Sequence, residues 1–179
     1  WWFEGPAWLE RVTEGLPGIG ITPMTLSEAL EAYPPHGAVS LGEGSWGEGG
    51  DHRIWLNHET EWVWDRIRSA ERDLGDLLSR IGSGTPPLLH RIASQACREL
   101  LLLQASDWPF LITTLSARDY AQRRVLEHSA AFGRLVEMGR LLLSGGTLSS
   151  EAERVLGELE RTDFCFPDLD PAWTRGRSA

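Results

Sequence analysis

A glycine-rich segment between Trp46 and Trp55 carries the side chains of this sequence that are best suited to hold a ligand. Its charged members are Glu48, Asp51 and Arg53. Indoles in so flexible a segment cannot all be core, and large apolar faces near solvent mark binding surfaces. Carboxylate and guanidinium groups beside them can hydrogen-bond vicinal hydroxyls. The residue types therefore indicate either a carbohydrate site or a docking surface for another protein domain.

Tryptophan is unusually frequent along the whole chain, which has nine of them in 179 residues. Trp62 and Trp64 follow the glycine-rich segment on a predicted helix, where packing in the core explains them equally well. Asp107 and Trp108 form a second pair that is expected to lie in a separate loop.

Two patterns that resemble cofactor sites do not fit their context. Gly42, Gly44 and Gly47 spell GxGxxG, but the acidic residues around them would repel a pyrophosphate and no helix opens at the third glycine. The spacing of His52 and His58 matches no common zinc pattern. We therefore predict neither a cofactor nor a metal.

The potential nucleophiles and bases give no catalytic pattern. Ser45 and Ser106 lack the Gly-x-Ser-x-Gly elbow of serine hydrolases. His128 lies on an apolar helical stripe and is predicted to be a hydrogen-bonded core histidine. Cys97 and Cys165 are interpreted as packing residues; two cysteines are too few for a disulfide framework, so a reduced, cytoplasmic setting is expected.

Charge and hydropathy exclude two classes of partner. The net charge is −9, and all 17 basic residues are arginine. So acidic a surface repels phosphate backbones and anionic lipid headgroups, which argues against nucleic-acid and membrane-surface binding. No apolar run is long enough to predict a membrane span.

Helical periodicity dominates from residue 57 onward and predicts a mainly α fold, an antiparallel bundle of about four helices. Asn57, Thr85, Ser116 and Ser150 are the predicted N-terminal caps of those helices. The stretch 106–110 is expected to interrupt the bundle as a loop.

The first 56 residues are irregular and rich in glycine and proline. They predict short helices, one of them starting at Thr25, which forms a capping-box pattern with Glu28. One or two short strands are also expected, at 20–22 and 38–41. The chain begins Trp-Trp-Phe without an initiator methionine or a signal-peptide pattern, which indicates a piece of a longer protein.

Three sequence blocks in a fixed order resemble the C-terminal part of glycoside hydrolase family 57, in particular its glucan branching enzymes. The blocks are WWFEGPAWL at 1–9, SWGEGGDHRIWLN at 45–57 and SDWPFLITT at 106–114. The resemblance runs from residue 1 to about residue 143. Together with the helical periodicity it predicts three parts: the end of a catalytic-domain segment with a cleft loop (1–56), a helical bundle domain (57–162) and a tail (163–179).

The family resemblance also implies a mechanism and a set of site residues. A Glu nucleophile and an Asp acid on an upstream (β/α)-barrel would cleave an α-1,4 bond with retention, and a glucan hydroxyl would then form an α-1,6 branch. No catalytic residue is expected in this chain, which alone would be inactive. The implied substrate-binding residues of the cleft are Trp46, Trp55, Trp1, Trp2, Asp107 and Trp108.

The implied partners are an α-glucan of the glycogen or amylose type and the upstream barrel. Within the same family, a 4-α-glucanotransferase or an amylase-type enzyme stays open as an alternative. From other classes, a non-catalytic helical interaction module and a free-standing sugar-binding module stay open.

Overall fold

The computed structural model describes residues 3–82 and 84–171. Within these ranges the chain forms seven α-helices and two short 3-10 turns, without any strand. The mainly α fold is confirmed, whereas the strands expected at 20–22 and 38–41 are wrong. The reason is that these segments have no neighbouring strand to pair with; the N–H of Ile21 instead donates locally to the carbonyl of Leu16, at 3.0 Å.

The chain divides into two compact units, and the first ends at Glu43. It contains α1 (Gly5–Gly15), a 3-10 turn (Leu16–Ile19) and α2 (Leu26–Ala32). The predicted capping box of α2 is confirmed: the Thr25 hydroxyl accepts from the N–H of Glu28 at 3.3 Å, and the Glu28 carboxylate accepts from the N–H of Thr25 at 2.7 Å.

The second unit starts at Gly44 and is a bundle of five helices. They are α3 (Glu61–Ser79), α4 (Pro87–Leu103), α5 (Asp107–Thr114), α6 (Arg118–Leu143) and α7 (Ser150–Thr162). Helix α4 lies at the centre, with every residue from 92 to 100 buried, and α6 packs on each of the other four. No helix in the described ranges has the length and apolar character to cross a membrane.

The buried face of α3 follows the predicted stripe closely. Val63, Ile67, Ala70, Leu74 and Leu77 are all buried, at the spacing that brings one face of a helix to the core. The bundle core is built from such stripes on α3, α4 and α6 together with Leu156 of α7.

Three helices begin later than their predicted caps, and the side chains of two of these caps form hydrogen bonds in the preceding turn instead. The Asn57 side-chain oxygen accepts from the N–H of Glu59 at 2.9 Å, and α3 begins only at Glu61. The Thr85 hydroxyl accepts from the N–H of Gly82 at 2.8 Å, before α4 begins. Helix α6 begins two residues after Ser116.

The stretch expected to be a loop at 106–110 is in fact the first half of α5, so this prediction is wrong. Pro109 is the third residue of the helix, where its missing N–H would have no intrahelical acceptor in any case. The helix ends at Thr114, and the next residue, Leu115, adopts a left-handed conformation with φ of 58°. The cap of α7 is Ser149, whose hydroxyl accepts from the N–H of Ala152; the prediction of Ser150 is wrong by one residue, because Ser150 is already the first residue of the helix.

Candidate functional site

The glycine-rich segment folds into a tight turn stabilised by its own backbone. The N–H of Ser45 donates to the carbonyl of Gly50 at 2.9 Å, and the N–H of Gly50 donates to the carbonyl of Gly47, also at 2.9 Å. The Ser45 hydroxyl accepts from the N–H of Gly47 and donates to the carbonyl of Asp51. Gly49 and Gly50 have φ of 77° and 73°, which side chains rarely permit.

Asp51 and Arg53 of this turn form an ion pair. The Arg53 guanidinium donates from Nε to Asp51 Oδ2 at 2.8 Å and from Nη2 to the same oxygen at 2.5 Å. The hydrogen bonds from the Arg53 side chain are the main reason why the pKa of Asp51 lies below its ordinary value. Asp51 is therefore an ionised, paired carboxylate and a poor candidate for a general base.

Three aromatic rings from two separate segments meet at the turn, and we call them the aromatic cluster. The Trp46 and Trp55 ring centroids lie 5.0 Å apart at an interplanar angle of 78°. The Phe110 ring, from α5, lies 5.5 Å from Trp46 and 6.3 Å from Trp55. Trp46 is 79% exposed, whereas Trp55 and Phe110 are half-buried. The cluster thus presents one broad indole face to solvent on a packed aromatic base.

The backbone of Trp55 is held by two hydrogen bonds to its carbonyl oxygen. One comes from the buried Thr60 hydroxyl at 3.0 Å and the other from the indole N–H of Trp64 at 2.8 Å. Both donors lie at the start of α3. The turn is therefore fastened to the bundle, and the half-buried Trp64 acts as an anchor for Trp55.

A second set of contacts joins the turn to α5 and α6. The Asn57 side-chain amide donates to the carbonyl of Arg53 and to the hydroxyl of Thr113, each at 2.8 Å. Glu59 forms an ion pair with Arg118 at the start of α6. These contacts explain why residues far apart in sequence reach the same surface.

A groove of about 300 Å³ lies beside the aromatic cluster. Trp46, Trp55 and Trp64 line one part of it, and Gln104 and Ser106 contribute polar atoms. Indole faces next to amide and hydroxyl groups suit a ligand that has both C–H faces and hydroxyls.

The other predicted site residues lie in different surroundings. Asp107 is exposed in the first turn of α5. Trp108 is half-buried; its indole N–H donates to the carbonyl of Leu102 at 2.7 Å, and its ring stacks 6.4 Å from the ring of His128. Its ring therefore packs on the bundle and does not line the groove. Trp1 and Trp2 lie outside the described residues.

A buried polar network lies next to the Trp108 ring and is centred on His128. His128 is 1% exposed, its Nδ1 lies 2.8 Å from Glu99 Oε2, and its Nε2 lies 2.8 Å from Arg124 Nη2. Because a guanidinium only donates, Nε2 is assigned as the acceptor and the Nδ1 proton as the donor to Glu99. The prediction of a hydrogen-bonded core histidine is confirmed.

Asp163 completes this network and gives it the donor types of a metal site. Ligand atoms of Glu99, His128 and Asp163 lie within 4.8 Å of one another. Burial is the main cause that raises the pKa of Asp163, and the negative charge of Glu99 raises it further. Both histidine nitrogens already have partners, however, so His128 offers no free lone pair to an ion, and the Arg124 guanidinium lies 3.9 Å from Asp163.

Neither cysteine has the surroundings of a reactive thiol. Cys97 is buried, and burial raises its pKa to about 11. The neighbouring Arg98 donates to the carbonyls of Cys165, Phe166 and Pro167 at 2.7, 3.1 and 3.1 Å, which fixes the segment after α7. The assignment of Cys97 as a packing residue is confirmed.

Phe110 is the member of the aromatic cluster that the sequence analysis missed. It lies in the block SDWPFLITT, which does carry the family resemblance, but the predicted site residues of that block are only Asp107 and Trp108. Gly47 also lies against the cluster, since a Cβ atom on it would lie 2.8 Å from the Trp55 ring. A contact of this kind has no signature in a single sequence.

Comparison with known proteins gives consistent matches. A family described as "1,4-alpha-glucan branching enzyme, C-terminal" matches residues 66–173. The 1,4-alpha-glucan branching enzyme TK1436 of Thermococcus kodakarensis is 46% identical over 168 residues, which cover 93% of this chain and 24% of that protein.

Solved structures of larger proteins contain the same fold. The GH57-type branching enzyme from Pyrococcus horikoshii superimposes with a TM-score of 0.74 at 40% identity, covering 96% of this chain and 32% of that one. The alpha-amylase AmyC from Thermotoga maritima gives 0.60 at 27% identity, covering 94% and 30%. This chain thus spans about a quarter to a third of the length of these relatives.

Proposed function

Because the chain belongs to the family of 1,4-alpha-glucan branching enzyme C-terminal regions, we propose that the whole protein is a glucan branching enzyme of the GH57 type. The chain would complete the active-site cleft of that enzyme. The catalytic Glu and Asp would lie upstream, so that no carboxylate of this chain takes part in bond cleavage.

The proposed reaction proceeds in two steps on an α-glucan of the glycogen or amylose type. The upstream Glu displaces the leaving glucan from the anomeric carbon while the upstream Asp protonates the leaving oxygen. The 6-hydroxyl of another glucan chain then attacks the glycosyl-enzyme and forms the α-1,6 branch. The second step demands that a sugar hydroxyl reach the intermediate and that water stay away.

The observation that carries the proposal is the exposed indole of Trp46 on a packed aromatic base. Trp46 contacts the rings of Trp55 and Phe110, yet 79% of its surface is open. A pyranose stacked on this wall would be held in place and would displace water from the cleft. Trp46 and Trp55 are accordingly the proposed aromatic walls.

The remaining site residues keep their proposed places around the cleft. Asp107, which is exposed, would lie at the rim and accept hydrogen bonds from sugar hydroxyls. Trp108 would support that rim from below, since its ring packs on His128. Trp1 and Trp2 would form the cleft floor beside the upstream acid.

The first unit supports the proposed packing on an upstream (β/α)-barrel. Within this unit the other residues bury none of residues 3–43, and they leave uncovered an apolar face of α1 formed by Trp8, Leu9 and Val12. A monomeric surface seldom exposes so many apolar side chains without a partner. We assign residues 1–56 to the end of the catalytic-domain segment, 57–162 to the helical domain and 163–179 to a tail.

The proposal is tested with Trp46→Ala in the full-length protein that carries this chain. Incubation with amylose yields α-1,6 linkages, counted by NMR, and new reducing ends, which report hydrolysis. We expect the ratio of branching to hydrolysis to fall on the order of tenfold, since the wall that positions the acceptor is lost. Trp46→Phe, which keeps an aromatic face, should retain most of the ratio. Unchanged branching and hydrolysis in Trp46→Ala would refute the assigned role.

A second candidate within the same family is an amylase-type enzyme or a 4-α-glucanotransferase. The similarity to the Thermotoga maritima alpha-amylase favours keeping it. The wild-type product decides: α-1,6 linkages indicate branching, a redistribution of chain lengths without new linkage types or new reducing ends indicates glucanotransfer, and new reducing ends alone indicate an amylase. Free cysteines at positions 97 and 165 support a cytoplasmic, reducing location.

A further inference from the structure

We propose that Gly47 is a positioning residue for the aromatic wall, because its missing side chain determines where the indole of Trp55 lies. The inference rests on the proposed function and deepens it by naming the residue that shapes the glucan-binding wall. Gly47 does not touch the substrate in this proposal; it acts through Trp55.

The contact between Gly47 and Trp55 leaves no room for a side chain. A Cβ atom built on Gly47 would lie 2.8 Å from Cζ3 and 3.2 Å from Cη2 of the Trp55 ring. Carbon atoms attract best at about 3.5–4.0 Å, so a Cβ at 2.8 Å would be strongly repelled. The indole edge therefore lies against the backbone of residue 47.

The conformation of Gly47 does not itself require glycine. Its φ of −66° and ψ of 168° are extended values that any residue can adopt. Gly49 and Gly50 differ, because their positive φ values explain the choice of glycine by backbone geometry alone. At Gly47 the requirement is space, first for the Trp55 ring and then for the Ser45 hydroxyl oxygen, which a Cβ would meet at 3.2 Å.

The Trp55 ring could not move away from a new methyl group without changing the wall. Its main chain is fixed by the hydrogen bonds from Thr60 and Trp64 to its carbonyl oxygen. The centroid of its ring lies 5.0 Å from that of Trp46 and 6.3 Å from that of Phe110. A substitution at Gly47 would therefore push the indole toward or past these rings and alter the surface that the sugar meets.

The experiment is a double-mutant cycle in the full-length protein, with Gly47→Ala, Trp55→Phe and the double variant. Gly42→Ala is the matched control, since a Cβ at Gly42 meets nothing within 4 Å among the described residues. The readouts are kcat and KM on amylose, the ratio of branching to hydrolysis, and the melting temperature.

We expect Gly47→Ala to lower the branching-to-hydrolysis ratio on the order of tenfold and to raise KM, because a displaced wall misplaces the acceptor. Gly42→Ala should leave both unchanged. The smaller ring of Trp55→Phe lacks the indole edge that the methyl group meets. The double variant should therefore be no worse than Trp55→Phe alone, which is the non-additivity expected of two residues in contact.

The outcomes separate this inference from the proposed function. If Trp46→Ala leaves the ratio unchanged, the proposed role of the aromatic wall fails. If Trp46→Ala lowers the ratio but Gly47→Ala behaves like Gly42→Ala, or if the effects of Gly47→Ala and Trp55→Phe simply add, the positioning role of Gly47 is overturned. Should Gly47→Ala lose its folded state, recovery of the melting temperature in the double variant supports the clash, and failure to recover overturns it.

Discussion

Gly139 of α6 packs directly against Leu77 of α3: a Cβ atom on Gly139 would lie 2.8 Å from Cδ1 of that leucine. Both residues are buried. The missing side chain allows α6 to lie close to α3, the helix whose first residues hold the backbone of Trp55. Close packing of this kind leaves little space for even one additional methyl group.

Gly139→Ala should therefore destabilise the bundle by about 1–3 kcal/mol, the usual cost of adding a methyl group to a filled core. The measurement is denaturant unfolding of the full-length protein, followed by helical circular dichroism. Gly133→Ala on the same helix is the matched control, since nothing lies within 4 Å of its Cβ position. It should gain about 0.5–1 kcal/mol from the better helix propensity of alanine. Equal effects of the two substitutions would contradict the packing argument.

The buried network predicts a pH-dependent effect of Asp163→Asn. Desolvation and the charge of Glu99 raise the pKa of Asp163, so the folded protein binds this proton more tightly than the unfolded chain does. Its stabilising contribution is complete below the ordinary aspartate pKa of about 3.9 and is lost as the pH rises through the raised value. Asparagine stays neutral throughout. The stability of Asp163→Asn relative to wild type should therefore increase with pH over that interval.

Melting temperatures of both proteins, measured from about pH 4 to about pH 7, give the test, since any constant packing difference cancels in the trend. Asp168→Asn is the control. Asp168 is an exposed aspartate that follows α7, as Asp163 does. A difference that stays flat, or that falls with pH, would show that the network does not raise the pKa of Asp163.

Periodicity was sufficient to predict the long helices. The stripe from Val63 to Leu77 repeats at helical spacing with polar residues between, and that pattern has no other compact solution. Helix α5 was missed because it is short, contains Pro109 and is apolar on most sides, so that it has no periodic face to detect. The resemblance to the branching enzymes was carried by sequence blocks and is confirmed by the family match.

The candidate site was predictable only in part, because it joins segments that the sequence keeps far apart. Trp46 and Trp55 were recognisable from their glycine-rich surroundings. Phe110 joins them through tertiary packing, in which the Asn57 amide contacts Thr113 on α5 across 56 positions. The roles of Trp46 and Trp55 in glucan binding stay a prediction.

Phe110 offers the clearest test of whether the aromatic cluster acts as one unit. Its ring lies 5.5 Å from Trp46 and 6.3 Å from Trp55, so Phe110→Ala removes the base on which both indoles rest. Aromatic pairs contribute about 0.5–1.5 kcal/mol beyond buried area, which is enough for Trp46 to leave its present orientation. We expect the branching-to-hydrolysis ratio of the full-length protein to fall several-fold, by less than in Trp46→Ala, where the exposed face itself is lost.

The matched control is Phe164→Ala, which removes the same side chain from an exposed position in the segment after α7. Phe110→Leu separates ring contact from mere filling of space, because leucine retains volume but has no aromatic face. A ratio restored by leucine would mean that Phe110 only fills space. A ratio that falls equally in Phe110→Leu and Phe110→Ala would mean that the indoles need an aromatic neighbour to form the wall.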